Sequence, residues 1–122
     1  MEEQFESFGQ MLGWLRGSYP ERIAAQARPG SPVPRIKLSQ AALIECLGQE
    51  GYSISSGAYS EIESSQNFPR DGAAFLRAVS RCLALSEHES RLLQRQLAYD
   101  ILKTRLGEPV ANEYRARFSQ DD

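Results

Sequence analysis

Two cysteines and one histidine are the side chains of this sequence best able to act as nucleophile, general base or metal ligand. Cys46 and Cys82 lie at helical spacing among leucines and alanines, with no CxxC pair or histidine cluster nearby. This pattern predicts small buried apolar side chains, with a redox or metal role as the open alternative. His88 stands between Glu87 and Glu89 in a predicted exposed helical turn, without a partner that would fix it as a base. We therefore expect no enzyme and no cofactor or metal.

A different chemistry is available at two serine-led segments. Ser39 precedes a helical pattern that begins at Gln40, and Ser55 precedes one over residues 56–65. A serine at such a position caps the helix by accepting a hydrogen bond from its backbone. The remaining N–H groups and the helix dipole attract anions such as phosphate. Capping alone, and capping combined with nucleic-acid contact, are both open alternatives here.

These segments belong to a series of predicted helices, recognised by apolar residues at three- and four-residue spacing. The helices cover residues 3–16 and 20–27, Gln40 to a stop at Gly48 or Gly51, residues 56–65, a stretch capped by Asp71, a long stretch from the Ser86 capping box to Gly107, and residues 109–118. The proline-rich residues 28–35 predict an exposed loop. No alternating strand pattern occurs, so the predicted class is all-α.

Length and charge limit the classes of function. The chain has 122 residues, 41% of them hydrophobic, which suffices for one ordinary core. The net charge of −2 argues against a protein that coats nucleic acid without sequence preference. No apolar run approaches the roughly 20 residues needed to cross a bilayer, and the start of the chain lacks the pattern of a secretory signal. We expect a cytoplasmic protein that does not bind membranes.

The segments LSQAALIECLG at 38–48 and ISSGAYSEIE at 54–63 resemble the helix-turn-helix of the Cro and lambda-repressor group, also called the XRE family. Phe68-Pro69 and the stretch from Phe75 to Ser86 resemble that family's fourth helix and the turn after it. With residues 8–16 as first helix, the resemblance covers roughly residues 8–93. It implies a lambda-repressor-like helix-turn-helix bundle over residues 1–86, with a Pro-rich insertion at about 17–37 after helix 1, and a C-terminal helical extension over residues 87–122.

The resemblance implies a transcriptional regulator, a repressor or autoregulator, that binds double-stranded DNA. In this arrangement one helix braces a second helix that enters the major groove. Four apolar side chains would hold the two helices together: Leu43, Leu47, Tyr59 and Ile62. Base contacts are expected from the start of the second helix, at Ser55, Ser56, Gly57, Ser60 and Glu61. Phosphate contacts are expected at Arg35, Lys37, Ser39, Gln40, Ser64 and Arg70, although the three cations also fit ordinary solvated charge.

The sequence departs from the family pattern in three ways. The first two turns of the second helix lack the arginine, lysine, asparagine and glutamine that make bidentate base contacts. The connection at residues 49–53 is longer than the family's tight turn, and Ile44 stands where alanine is usual. Glu63 is expected to form a structural hydrogen bond or ion pair. These departures leave two alternatives open: a tilted recognition helix, or a helical protein–protein interaction module that keeps the fold without binding DNA.

The long predicted helix near the C-terminus carries more apolar surface than one core requires. This surface could bury the last helix or meet a second copy of the chain. We expect a homodimer through Leu93, Leu97, Ile101 and Leu102. A dimer would also supply the two half-site geometry with which such proteins bind DNA.

Overall fold

The computed structural model describes residues 5–26 and 38–121, with side chains placed for residues 5–24 and 38–117. Within these residues the chain forms seven α-helices and no strand, which confirms the predicted all-α class. The helices are α1 (Phe8–Gly17), α2 (Tyr19–Gln26), α3 (Gln40–Gln49), α4 (Ser56–Glu63), α5 (Gly72–Cys82), α6 (Glu87–Leu106) and α7 (Glu108–Asp121). In this part of the chain no helix has the length and apolar character needed to span a membrane.

Serine hydroxyls fix where four of these helices begin. Each accepts a hydrogen bond from the backbone N–H three residues later, and the four are Ser7, Ser39, Ser55 and Ser86. The first of them places the start of α1 at Phe8, later than the predicted start at residue 3. The predicted capping box is confirmed, because the Glu89 carboxylate also accepts from the Ser86 N–H at 2.8 Å.

Three helices are followed, two residues after their last residue, by a residue whose backbone lies in the left-handed region. Gly51 follows α3 with φ +90°, and its neighbour Tyr52 donates its N–H to the Leu47 carbonyl at 2.8 Å. Ser65 after α4 and Ala84 after α5 take φ values of 66° and 51°. This backbone hydrogen-bonding pattern satisfies carbonyls that the helix end leaves open. It also ends α4 at Glu63, before the predicted end at residue 65.

We predict that Ala84→Gly stabilises the protein by about 1 kcal/mol. A left-handed backbone costs an L-residue about 1–2 kcal/mol, and glycine avoids this cost. Part of the gain is offset because glycine loses more conformational entropy on folding. Urea unfolding monitored by circular dichroism measures the change. Ala73→Gly, at an exposed position inside α5, is the matched control and should destabilise. A loss of stability in both variants would contradict the prediction.

One apolar core joins α1, α3, α4, α5 and α6. Its largest fully buried side chains are Tyr59, Phe8, Phe75, Leu12, Leu15, Leu43, Leu47, Leu83, Leu93 and Val79. The four residues expected to hold α3 and α4 together are all at most 3% exposed, which confirms that they are buried: Leu43, Leu47, Tyr59 and Ile62. The start of α4 is therefore fixed from one side by the core.

A half-buried arginine attaches α2 to this bundle. The Arg22 guanidinium donates to the Leu83 carbonyl at 2.6 Å and to the Leu15 carbonyl at 2.7 Å. These carbonyls lie at the C-terminal ends of α5 and α1, where helices lack internal donors. Burial lowers the pKa of Arg22, although the group stays charged. The proline-rich loop predicted to follow at residues 28–35, and most of the insertion predicted at 17–37, lie outside the described residues.

The last two helices form a hairpin, in which α7 packs on α6. The Tyr99 hydroxyl donates to Asn112 at 2.9 Å, and Arg115 stacks 3.7 Å above the Tyr99 ring. Ala111 is fully buried. The wide apolar surface of α6 therefore buries part of the last helix, one of its two expected roles, and the homodimer stays a prediction.

The predicted dimer contacts divide into two groups. Leu93 and Leu97 belong to the core of the single chain, with exposures of 0% and 5%. They are therefore unavailable to a second copy, because α6 turns one side toward α1 and α5 and another toward α7. Ile101 and Leu102 keep partial exposure and are the two of the predicted residues that a second copy can reach.

Cys46 on α3 and Cys82 at the end of α5 form a disulfide, with Cα atoms 5.9 Å apart. The prediction of buried side chains holds for Cys82, but the two cysteines are joined by a disulfide, which the prediction of simple apolar side chains did not include and the open redox alternative allowed. Helical spacing among leucines is the same for a buried thiol and for a half-buried disulfide, so the sequence pattern does not separate them. The close approach of α3 and α5 decides the pairing.

Candidate nucleic-acid interface

The start of α3 lies against the second half of α4. The Ser60 hydroxyl of α4 donates to the Gln40 side-chain oxygen, at the first residue of α3, at 2.9 Å. Residues 50–55 connect the two helices, and Tyr52 anchors this connection by donating its hydroxyl to the Arg70 carbonyl at 2.6 Å. Tyr52 also packs edge-on against Phe75 of the core. The connection is longer than a tight turn but is held at its middle.

The five residues predicted to contact bases are all exposed: Ser55, Ser56, Gly57, Ser60 and Glu61. None of the described residues covers the face formed by Ser56, Gly57 and Ser60, and a Cβ added at Gly57 would meet nothing within 4 Å. Glu61 is directed elsewhere, because its carboxylate accepts from the Asn67 side chain at 3.2 Å. The structure thus leaves Ser56, Gly57 and Ser60 on one exposed face of α4, with Ser55 at its start.

The residues predicted to contact phosphate are more dispersed. Ser39 and Gln40 lie at the start of α3, whereas Ser64 lies at the end of α4 and donates its hydroxyl to the Glu61 carbonyl at 3.1 Å. A helix C-terminus carries the negative end of the dipole, which does not favour phosphate. Arg70 is exposed in the loop after α4. The remaining two, Arg35 and Lys37, fall outside the described residues.

An ion pair with α1 fixes the C-terminal end of α4. Arg16 donates to Glu63 through Nε at 2.8 Å and through Nη2 at 3.1 Å, and its Nη1 donates to the Leu38 carbonyl at 2.7 Å. The two side chains are 21% and 11% exposed. This confirms the expected structural role of Glu63. Arg16 was not among the predicted site residues, although its position four residues after Leu12 places it near the core side of α1.

Burial and hydrogen bonding shift the pKa of Glu63 in opposite directions. Burial raises the pKa of Glu63, but the hydrogen bonds and positive charge of Arg16, with nearby polar groups, leave that pKa below its ordinary value. The hydrogen bond to Glu63 raises the pKa of Arg16. Tyr59 is buried beside them, and its desolvation together with the carboxylate raises the pKa of its hydroxyl well above the usual range. That hydroxyl has no partner at hydrogen-bonding geometry among the described residues. The pair is therefore ionised at neutral pH.

The surface around α3 and α4 is rich in acidic residues by sequence. Residues 38–71 contain one cation, Arg70, and five acidic residues, Glu45, Glu50, Glu61, Glu63 and Asp71. Several of the carboxylates are engaged within the chain. Glu63 pairs with Arg16, Glu50 lies 3.5 Å from Arg81, and Asp71 accepts from the Ala74 N–H at the start of α5. Their negative charge is thus partly compensated before any ligand approaches.

A shallow cleft of about 540 Å³ lies beside the outer face of α4. It is lined by residues 52–55, by Ala58, Glu61 and Ile62, and by residues 67–71. In the described part of the chain no three His, Cys, Asp or Glu residues are grouped to hold a metal ion.

Comparisons of the chain with family models, curated proteins and solved structures found no match.

Proposed function

We propose that this chain binds double-stranded DNA with sequence preference and regulates transcription, using α3 and α4 as a lambda-repressor-like helix-turn-helix. One observation carries the proposal: Ser56, Gly57 and Ser60 form an exposed face of small side chains at the start of a short helix whose opposite face is buried in the core. A helix presented in this way is what the major groove accepts.

The residue types on this face suit close approach to DNA. Serine hydroxyls donate to or accept from base edges without selecting one base strongly, and Gly57 lets the helix backbone approach the groove. Bidentate readers are lacking on the first two turns of α4, so specificity would depend largely on phosphate positioning and on DNA shape. The start of α3, at Ser39 and Gln40, carries the positive end of the helix dipole, which would attract a neighbouring phosphate.

Affinity would come mainly from phosphate neutralisation. Arg70 lies in the loop after α4, and Arg35 and Lys37 precede Ser39 by four and two residues in sequence. A homodimer, formed through the part of α6 that includes Ile101 and Leu102, would double these contacts. DNA binding would also accord with the cytoplasmic location expected from the sequence.

The direct test is selection of bound duplexes from a random pool, followed by fluorescence anisotropy on an enriched duplex. We expect enrichment of a motif and an affinity that falls steadily as salt rises. Arg35→Ala and Lys37→Ala should weaken binding to all sequences alike. A pool from which no duplex is enriched would contradict the proposal. The mass of the protein alone, measured in the same series, gives its stoichiometry.

We predict that Ser56→Glu lowers affinity for the selected duplex at least tenfold, about 1.4 kcal/mol. The new carboxylate would face phosphates and base acceptors at the centre of the interface. Gln94→Glu adds the same charge at an exposed position of α6 and is the matched control, for which we expect little change. Equal losses in the two variants would show that overall charge, not the α4 surface, governs binding.

A second candidate is the helical protein-interaction module. It is favoured by the acidic residues around α4 and by exposed apolar side chains at the hairpin tip, where Leu106 is 61% and Val110 39% exposed. In that case Ser56→Arg should leave a partner complex unchanged. Recovery of nucleic acid alone in a pull-down would count against it. Neither candidate involves catalysis.

A further inference from the structure

The Cys46–Cys82 disulfide connects the helix that braces α4 to the end of α5. Cys46 is partly exposed, whereas Cys82 is only 9% exposed. Cys46 is thus the more exposed residue of the pair. The sequence contains no further cysteine, so this is the one disulfide that can form within the chain.

The interface that the disulfide spans has other contacts. Leu43 and Leu47 of α3 and Val79 of α5 are fully buried in the same core. Glu50 and Arg81, an ion pair at 3.5 Å, join the end of α3 to the end of α5 beside the disulfide. Since these contacts do not depend on the bond, the reduced chain should remain folded, with α3 less firmly held.

DNA-binding regulators work in compartments where small thiols keep most cysteines reduced, and disulfides there are usually transient and redox-sensing. We propose that Cys46 and Cys82 form a reversible redox lock on the α3–α5 interface, an inference that rests on the proposed function for its biological setting. Oxidation fixes α3 and hence the presentation of α4. Reduction releases α3 and weakens DNA binding while the fold persists.

The oxidant we infer is a low-molecular-weight disulfide of the glutathione type. The Cys46 thiolate attacks one sulfur of that disulfide, forms a mixed disulfide and releases one small thiolate. The Cys82 thiolate then attacks the Cys46 sulfur, forms the Cys46–Cys82 bond and releases the second small thiolate. The two protons lost by the protein thiols protonate the two leaving thiolates. Two electrons pass from the protein to the small disulfide, and reduction reverses these steps.

The test equilibrates the full chain in glutathione buffers of graded oxidation and follows the thiols by alkylation and mass measurement. Hydrogen exchange on the fully oxidised and fully reduced forms is then compared by peptide. We expect reversible interconversion without denaturant and at least tenfold faster exchange in α3 after reduction. Exchange in α7, which packs on α6, should change little. A Cys46→Ala, Cys82→Ala double variant should match the reduced form in every buffer.

Three results would overturn the redox lock: reduction only under unfolding conditions, a reduced chain without helical circular dichroism, or equal exchange of α3 in both forms. If the double variant does not fold, the reduced natural chain still decides between these results. Exchange is measured without DNA, so it tests the lock separately from the proposed function. Failure of the oxidised form to select any duplex would instead overturn DNA binding and leave the exchange result intact.

Discussion

Arg16→Ala should lower the free energy of unfolding by about 3 kcal/mol at pH 7, because it leaves a carboxylate without its partner in a mostly buried place. Glu63 is 11% exposed, and the substitution removes both of the hydrogen bonds that it accepts from Arg16. The Leu38 carbonyl loses a donor as well. Urea unfolding with a fitted slope gives the change directly.

The pH dependence of this effect has a definite sign. In the natural chain the pKa of Glu63 is lowered from its ordinary 4.5, so the stability it contributes is present above pH 4.5 and is lost as pH falls through the folded-state value. In the variant, burial without Arg16 raises that pKa, so protonation relieves the cost as pH falls. The gap in stability between the two proteins should therefore narrow between pH 7 and pH 4.

A surface ion pair provides the control. Arg91 and Glu87 lie 3.4 Å apart one helical turn from each other on α6, with exposures of 53% and 91%. Pairs of this kind contribute little, so Arg91→Ala should leave stability nearly unchanged. A similar loss from Arg16→Ala and Arg91→Ala, or a gap that does not depend on pH, would show that the α1–α4 pair does not stabilise the fold in the way described.

Gly9→Ala should destabilise the protein by about 3 kcal/mol, although alanine is the better helix former. A Cβ at this position would collide with the Ile62 carbonyl oxygen, lie 2.5 Å from that of Glu63 and lie 2.7 Å from the Ser65 hydroxyl. Two of these atoms are backbone of α4 and cannot rotate away. The helices α1 and α4 would have to separate, which would also shift the face proposed to contact DNA.

Gly17→Ala is the matched control within the same helix, because nothing lies within 4 Å of its added Cβ. It should raise stability by about 0.5 kcal/mol through helix propensity alone. Thermal unfolding of the two variants in one buffer compares them. If Gly9→Ala also stabilised the protein, the close approach of α1 and α4 would be refuted. A loss of affinity of Gly9→Ala for the selected duplex, measured by fluorescence anisotropy, would show that the α4 surface has moved.

The sequence by itself determined the helices and most of their starts. Serines at positions 39, 55 and 86 cap helices through bonds to residues only three positions away, and apolar spacing depends on neighbours within one turn. The cap at Ser7 was not predicted, and the first helix starts later than expected. Signals of such short range can be read without coordinates. Apolar spacing predicted the buried side chains between α3 and α4, and the family resemblance implied the exposure of the serine-rich face.

Tertiary structure decided which distant residues meet. Arg16 and Glu63 are 47 positions apart, and Cys46 and Cys82 are 36 positions apart, so nothing local records either pairing. Leu93 and Leu97 share one helical stripe with Ile101, yet packing assigns the first two to the core and leaves the third partly exposed. Periodicity shows that a face is apolar, but which surface covers it depends on how all the helices fill one common volume.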